Sequence, residues 1–309
     1  MKIMMMGSGG VGGFFGGLLA RAGYDVCFVA RGAHLAALQK HGLTVESEQQ
    51  DNFSISKVNA TDDPATPGIV DIVILSVKLW DTQTAIRAMR PAIGPHTGIL
   101  SLQNGVTKDD LLRAEFGEEA VMGGVGYVAT HVSRPGVIHQ VGTMQRIVLG
   151  EYNGENSKRA VSLHAALLKA GINAELSSNI RAEIWKKYVF LVGLSAVTTA
   201  MRSRLGPIRT NAQTRAYFFE VMREVVAVGR AQGVDLPQDY ANDRMRFADT
   251  LPEDMTSSMH HDLERGRPLE VNWLSGGVVQ LGQKVGVATP ANRAICDILT
   301  FQAEGQKEA

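Results

Sequence analysis

Cysteine is scarce in this chain, and so is any segment that could enter a membrane. The 309 residues include two cysteines, Cys27 and Cys296, whose spacing suits neither a disulfide framework nor a redox or metal motif. We expect both to be small core residues. No apolar run free of charge reaches about 18 residues, which a membrane-spanning helix would need. The chain enters its first predicted strand without a signal peptide, so we expect a cytoplasmic location and no membrane partner.

The chain also lacks an excess of either charge. It carries 31 Lys and Arg residues against 31 Asp and Glu residues, with no long basic run. This balance argues against the positive field with which proteins attract nucleic acid. A composition of 45% hydrophobic and 20% charged residues is typical of a soluble globular protein, and the length suffices for two domains.

A glycine-rich segment near the N-terminus is the most informative feature that is present. An apolar strand over residues 2–6 precedes the pattern G-x-G-x-x-G, and a small-residue helix follows it. In a dinucleotide site Gly7 permits the tight turn, Gly9 lets backbone approach a pyrophosphate, and Gly12 lets the helix pack on the strand. The helix N-terminus offers N–H groups and partial positive charge to the phosphates. The alternative is a tight turn without a ligand. The residues predicted to bind the cofactor here are Gly7, Ser8, Gly9, Gly10, Val11 and Gly12.

The end of the second predicted strand bears on which dinucleotide binds. The strand covers residues 25–30, and Arg31 follows it where NAD sites usually place an acidic residue for the ribose 2′-hydroxyl. An arginine there can hold a 2′-phosphate through charge-assisted hydrogen bonds. We therefore predict NADP(H) as the cofactor. The alternative for Arg31 is a solvated loop cation.

The order of predicted elements indicates an α/β fold in two domains. Strands alternate with helices through the first half, which is typical of a parallel doubly wound sheet. Residues 137–141 and 145–149 are interpreted as an antiparallel pair added to that sheet. Helical periodicity dominates the second half. We predict an NADP-binding Rossmann-type domain over residues 1–177, then an all-α domain for substrate binding and dimerisation over residues 178–309, with a homodimer as the hypothesis for assembly.

Two further loops follow predicted strands of the sheet. Lys78 comes after the apolar run 70–77, and Asn104 comes after the strand 98–102. Ligands of open α/β sheets bind beyond the carboxyl ends of the strands. Lys78 could neutralise a phosphate or bond a ribose, and Asn104 could act near the nicotinamide. The alternatives are a solvated lysine and a common Asn-Gly turn.

A lysine pair interrupts an otherwise apolar helix over residues 184–192. Lys187, Leu191 and Ser195 lie on one face at spacings of four residues. Partial desolvation and the neighbouring Lys186 would make Lys187 readier to release a proton, as a general acid must. The alternative is a pair of surface lysines whose stems lie along apolar surface.

Acidic and histidine residues near the C-terminal end complete the candidates. Glu270 follows Pro268 at a predicted helix start, where the helix dipole favours a carboxylate. The pair His260 and His261 has no further ligands at metal spacing, so we expect no metal site.

These residues together resemble the ketopantoate reductase (2-dehydropantoate 2-reductase) family over nearly the whole chain. That resemblance implies a Rossmann domain, a helical domain, a site in the cleft between them, and NADPH-dependent reduction of a 2-oxo acid to a 2-hydroxy acid in pantothenate biosynthesis. The motifs that carry the resemblance are G-S-G-G-V-G at 7–12, S-V-K-L-W at 76–80, Q-N-G-V at 103–106, A-E-I-W-K-K at 182–187 and S-S-M-H-H-D-L-E-R-G-R-P-L-E at 257–270.

The resemblance also implies roles for single residues. Lys187 matches the family's proton donor, and Glu270 matches the acidic residue that contacts the cofactor and the reacting centre. Lys78 and Asn104 match cofactor contacts, and Asn104 also faces substrate. The residues implied in substrate binding are Asn104, Lys187, Leu191, Ser195 and Ser258.

The sequence departs from pantoate-forming members at four positions. Leu191, Ser195, Leu205 and Met255 stand where those members carry asparagine, so several hydrogen-bonding partners for a substrate hydroxyl are lost. 2-Dehydropantoate remains the first candidate substrate. Two alternatives stay open: a same-fold reductase of a more apolar 2-oxo acid or ketone, and a non-catalytic NADP-binding regulatory protein. Retention of Lys187 and Glu270 favours an enzyme.

Overall fold

The computed structural model describes residues 1–48 and 51–305, which form two compact units. We call Met1–Gln103 with Lys108–Ile180 the sheet unit, and Asn104–Thr107 with Arg181–Ala309 the helical unit. The predicted domain boundary after residue 177 stays a prediction.

Strands and helices alternate through the sheet unit, and helices fill the other unit. The strands in the described residues are β1 (Lys2–Met6), β2 (Asp25–Val29), β3 (Leu43–Ser47), β4 (Phe53–Ile55), β5 (Asn59–Thr61), β6 (Ile72–Leu75), β7 (Gly98–Ser101), β8 (Val121–Arg134), β9 (Val137–Gly150) and β10 (Asn173–Leu176). The α-helices there are α1 (Gly10–Arg21), α2 (Gly32–His41), α3 (Thr82–Met89), α4 (Lys108–Phe116), α5 (Lys158–Lys169), α6 (Ile180–Ala200), α7 (Leu205–Thr210), α8 (Ala212–Ala231), α9 (Tyr240–Thr250), α10 (Ser258–Glu264), α11 (Ser275–Val285) and α12 (Pro290–Ile298).

The sheet is built around β1, which lies between β2 and β6 and is parallel to both. The full strand order is β4-β3-β9-β8-β7-β6-β1-β2-β5, with β10 paired to β9. Side chains alternate across β1, because successive residues of a strand face opposite sides. Ile3 and Met5 pack in one core with α1, whereas Met4 and Met6 pack in the other core with α3. Helices therefore cover both faces, and the predicted fold class is confirmed.

One predicted strand pair is wrong. Residues 137–141 and 145–149 do not pair with each other; both belong to β9, which runs antiparallel to β8. Gly142 has a φ of +67°, which suggests a turn, but the chain continues in its original direction after it. The register shifts opposite this point, with Val128 paired to Gln145 and Thr130 paired to Gln140. The glycine therefore lies in a β-bulge of β9, because β9 pairs with β8 both before and after it.

The helical unit has its own core, to which α6, α8 and α11 all contribute. Tyr188 of α6 is among its largest fully buried side chains, with a relative exposure of 1%. Glu224 of α8 is also buried, and its two carboxylate oxygens accept from the backbone N–H groups of Ala291 and Asn292 at 2.7 and 2.9 Å. A carboxylate at a helix start satisfies N–H groups that have no partner within the helix. The sequence of α12 alone does not show this cap, because the acid lies on another helix.

Among residues 1–48 and 51–305, no helix combines the length and the apolar character that crossing a bilayer requires.

Candidate active site

The glycine loop folds as its spacing requires. Gly7 has a φ of +95°, and a Cβ on it would lie 2.6 Å from Val77 Cγ1. A Cβ on Gly12 would lie 2.1 Å from the carbonyl oxygen of Gly7, so the helix sits too close to the turn for a larger residue. Ser76, directly after β6, donates its hydroxyl to the same carbonyl at 2.7 Å. Both glycines are thus required by the protein's own backbone.

Gly9 differs, because the protein itself does not require a glycine there. Its φ of −71° is open to any residue, and a Cβ on it would meet no atom within 4 Å. It also precedes α1 without providing a side-chain cap. Open space beside an uncapped helix N-terminus is what a dinucleotide phosphate needs. These residues therefore fit a pyrophosphate.

Arg31 and Lys78 follow parallel strands, β2 and β6, and so lie at the same edge of the sheet as Gly7. The Arg31 side chain is 71% exposed, and its Nη2 lies 3.1 Å from the Asp81 carboxylate. Lys78 Nζ lies 5.5 Å from the centre of the Trp80 ring. This edge of the sheet therefore carries two cationic side chains that could bind phosphate groups. One of them, Arg31, already forms an ion pair with Asp81.

Lys187, Asn104 and Glu270 converge within the helical unit. Lys187 Nζ donates to Asn104 Oδ1 at 3.0 Å, and Asn104 Nδ2 donates to Glu270 Oε2 at 3.4 Å. The two partners fix the orientation of the Asn104 amide, since an ammonium only donates and a carboxylate only accepts. Glu270 is buried, with 6% relative exposure. The three predicted residues therefore form one chain of hydrogen bonds.

The two neighbouring lysines have different partners. Lys186 Nζ forms an ion pair with Glu183 Oε1 at 2.7 Å, one turn earlier on the same helix. Lys187 instead reaches Asn104, which lies 83 residues away in sequence. Lys186 therefore forms a local ion pair at the surface, whereas Lys187 belongs to the hydrogen-bonded chain with Asn104 and Glu270.

Two contacts hold α6 in place on either side of the predicted substrate residues. The hydroxyl of Tyr188, directly after Lys187, lies 2.9 and 2.7 Å from the carbonyl oxygens of Trp273 and Leu274. These residues follow the 3₁₀ turn Glu270–Asn272, so Tyr188 fixes Lys187 relative to Glu270. Further along α6, Thr198 Oγ1 lies 2.9 Å from Ser257 Oγ.

The predicted substrate residues differ in exposure. Leu191 is partly buried, Ser195 is fully buried, and Ser258 is exposed at the first position of α10. Ser257, not Ser258, caps α10 by accepting from the His260 N–H at 3.1 Å. Leu205 is also fully buried, and its N–H donates to the Met255 carbonyl at 2.9 Å. The Ser195 hydroxyl is buried without a hydrogen-bond partner in the described part of the chain.

The two cysteines and His260 are buried to different extents, and burial shifts their pKa values. Burial raises the pKa of the Cys27 thiol, and it raises that of Cys296 to about 11. Neither thiol is therefore a thiolate near neutral pH. Burial lowers the pKa of His260, whose Nδ1 contacts the Thr256 hydroxyl. In the described ranges no group of three or more His, Cys, Asp or Glu side chains could hold a metal ion.

Sequence reasoning missed Asp81, Tyr188 and Thr198. Asp81 follows a different strand and lies 50 residues from Arg31. Tyr188 and Thr198 belong to an apolar helix in which they look like ordinary core residues. Asp81 directly follows the motif at 76–80 that contains Lys78, and this position could have drawn attention to it, but no local pattern indicates the partners of the other two.

Comparisons with known proteins cover both units. The family described as "Ketopantoate reductase PanE/ApbA" matches residues 3–154, and "Ketopantoate reductase PanE/ApbA C terminal" matches residues 179–303. A 2-dehydropantoate 2-reductase from Mesorhizobium japonicum (strain LMG 29417 / CECT 9101 / MAFF 303099) is 34% identical, covering 96% of this chain and 95% of that protein. The uncharacterized oxidoreductase YkpB of Bacillus subtilis (strain 168) is 30% identical, covering 98% and 100%.

A solved structure agrees in fold over the same extent. The PanE/ApbA family ketopantoate reductase from Ralstonia eutropha JMP134 superposes with a TM-score of 0.89 at 35% identity, covering 98% of each chain. The resemblance inferred from the motifs is thereby confirmed: the chain belongs to the ketopantoate reductase family.

Proposed function

We propose that this protein is an NADPH-dependent reductase that converts a 2-oxo acid to the 2-hydroxy acid, with 2-dehydropantoate as the first candidate substrate. The observation that carries the proposal is the hydrogen-bonded chain Lys187–Asn104–Glu270. A protein that only senses a dinucleotide has no use for a lysine that donates to an amide which a buried acid in turn orients. Family membership supports the reaction class, since the Mesorhizobium japonicum relative is named for that reaction.

In the proposed reaction, separate residues bind the cofactor, donate the proton and position the reacting groups. The loop Gly7–Gly12, Arg31 and Lys78 hold the cofactor, which when bound supplies the hydride for the keto carbon. Lys187 Nζ gives a proton to the carbonyl oxygen as negative charge develops there, which is general acid catalysis. Asn104 aims the ammonium by accepting one of its N–H bonds. Glu270 orients the Asn104 amide, and the Ser258 hydroxyl binds the substrate carboxylate.

A panel of 2-oxo acids tests the reaction. We expect NADPH oxidation with 2-dehydropantoate, detected by loss of absorbance, and formation of the 2-hydroxy acid detected by chromatography. A regulatory protein would bind NADPH without consuming it. Tight NADPH binding without turnover on any 2-oxo acid of the panel would therefore contradict the proposal and favour that alternative.

A more apolar 2-oxo acid is the second candidate, because Leu191 and Leu205 replace amides. Leu191, which unlike Leu205 is only partly buried, gains from contact with substrate methyl groups, each worth about 0.8 kcal/mol when buried. It offers nothing to a substrate hydroxyl, and an unpaired hydroxyl costs roughly 1–3 kcal/mol on burial. The Ser195 hydroxyl, buried without a partner within the described residues, is the group that could offset this cost.

We accordingly expect 3,3-dimethyl-2-oxobutanoate, which lacks the terminal hydroxyl of 2-dehydropantoate, to be reduced at least as efficiently as 2-dehydropantoate. Steady-state kinetics give kcat/KM for both compounds. Ser195→Ala provides the matched control, since it should lower kcat/KM only for the hydroxylated substrate if Ser195 bonds that hydroxyl. A preference for 2-dehydropantoate above about a hundredfold, or roughly 2.7 kcal/mol, would restore the plain pantoate assignment.

The cofactor preference rests on Arg31. We expect NADPH to be preferred over NADH by about tenfold or more, because a guanidinium gains a charge-assisted contact with the 2′-phosphate. Arg31→Ala should raise the KM for NADPH and leave the KM for NADH nearly unchanged. Asp81→Asn should lower the KM for NADPH, because it removes the carboxylate that now neighbours Arg31. Equal use of both cofactors by the unaltered protein would remove the basis for this assignment.

A further inference from the structure

The imidazole of His34 joins two segments of the sheet unit that are far apart in sequence. Its Nε2 lies 2.9 Å from the carbonyl oxygen of Ser8 in the glycine loop. Its Nδ1 lies 3.1 Å from the backbone nitrogen of Gly136, in the turn between β8 and β9. His34 itself is on the first turn of α2.

The two contacts determine the tautomer of the ring. The Gly136 N–H can only donate, so Nδ1 accepts and carries no proton. Nε2 of the neutral ring then bears the proton and donates it to Ser8. Burial lowers the pKa of His34, which favours the same neutral form. Gly136 is in turn held by β3, because its carbonyl accepts from the Thr44 N–H at 2.9 Å.

The bond to Ser8 fixes the orientation of one peptide group of the glycine loop. The structure contains no cis peptide bond in its described residues, so the Gly9 N–H points opposite to the Ser8 carbonyl. Ser8 is held from its other side by the bond from its N–H to the Val29 carbonyl at 2.9 Å. Gly9 is free of side-chain constraints and could adopt either peptide orientation. The described residues supply no acceptor for the Gly9 N–H.

We propose that His34 is a positioning residue for the dinucleotide, which holds the Ser8–Gly9 peptide so that the Gly9 N–H faces the pyrophosphate. The inference rests on the proposed NADPH binding. His34 does not touch the ligand. His34 keeps the Ser8–Gly9 peptide in its binding orientation before the ligand arrives. NADPH binding then does not have to supply the free energy of reorienting this peptide.

Three variants separate this role from a merely structural one. His34→Leu removes both hydrogen bonds and should weaken NADPH binding roughly tenfold, about the net value of one hydrogen bond. His34→Gln keeps an amide donor at the distance of Nε2 and should stay within about threefold of the unaltered protein. His41→Leu is the matched control, since it changes an exposed histidine at the far end of the same helix and should have no effect.

The measurements are the Kd of NADPH by fluorescence titration, the Kd of adenosine 2′-monophosphate by its displacement of NADPH, and the melting temperature without ligand. His34→Leu should weaken NADPH binding but not the binding of adenosine 2′-monophosphate, which has no pyrophosphate. Equal weakening of both ligands, or failure of His34→Gln to restore binding while it folds normally, would overturn the inference. If the unaltered protein binds no NADPH, the proposed function fails instead.

Discussion

Replacement of Lys187 by alanine should lower the turnover number by about 10²–10⁴, which is the usual contribution of a positioned general acid. Lys187 Nζ donates to Asn104 Oδ1 at 3.0 Å, and Asn104 in turn donates to the buried Glu270. Alanine removes the proposed proton donor and leaves the Asn104 amide oxygen without that partner. The rate is measured in single turnovers at saturating NADPH and 2-oxo acid, so that the loss is assigned to the chemical step.

Lys186→Ala is the control for this variant, because it removes the same charge from the adjacent residue. Its ammonium forms an ion pair with Glu183, and the Lys186 side chain is 36% exposed. Surface pairs of this kind contribute about 0–1 kcal/mol, so turnover should change by less than about threefold. If Lys186→Ala were the more severe variant, Lys187 would not be the proton donor.

Replacement of Gly9 by alanine should weaken NADPH binding by about tenfold to a hundredfold while the protein folds as before. A Cβ at this position meets no protein atom within 4 Å and suits the observed φ of −71°, so the ligand-free fold has room for it. The methyl group would occupy space that we assign to the pyrophosphate. Overpacking of this kind costs about 1–3 kcal/mol, which corresponds to the expected change in Kd.

Gly12→Ala tests whether the effect at position 9 concerns the ligand. Its Cβ would lie 2.1 Å from the Gly7 carbonyl oxygen and 2.4 Å from Ser76 Oγ, so the loop itself must shift. We expect Gly12→Ala to lower the melting temperature without ligand and Gly9→Ala to leave it unchanged or slightly raised. Normal NADPH affinity in Gly9→Ala would show that the pyrophosphate does not approach this backbone.

Local patterns allowed the glycine loop to be predicted from sequence, because its requirements are set by neighbouring residues. Gly7 needs its positive φ, and Gly12 needs its close approach to Gly7, only five residues away. The β9 strand was predicted wrongly for the opposite reason. Gly142 carries the local mark of a turn, whereas pairing with β8 on both sides of it decides the path of the chain.

The contacts of the candidate site that could not be predicted join residues that are distant in sequence. The sequence places Lys186 and Lys187 side by side, and the distant partner that distinguishes Lys187 is Asn104, 83 residues away. Asp81 beside Arg31 and Gly136 beside His34 are likewise brought together by the sheet, across 50 and 102 residues of chain. Such pairs leave no periodic signal, so composition and spacing do not predict them.

The anchoring of α6 at Tyr188 and Thr198 has a consequence for redesign of this protein. Leu191 and Ser195 lie between the two anchors, which hold the helix through contacts to Trp273, Leu274 and Ser257. The partly buried Leu191 can therefore be exchanged without displacing Lys187, the proposed proton donor one turn away, whereas the fully buried Ser195 leaves little room for a larger side chain. Selection for new substrates should enrich changes at Leu191 and retain Tyr188, so α6 combines one variable position with fixed anchors on either side of it.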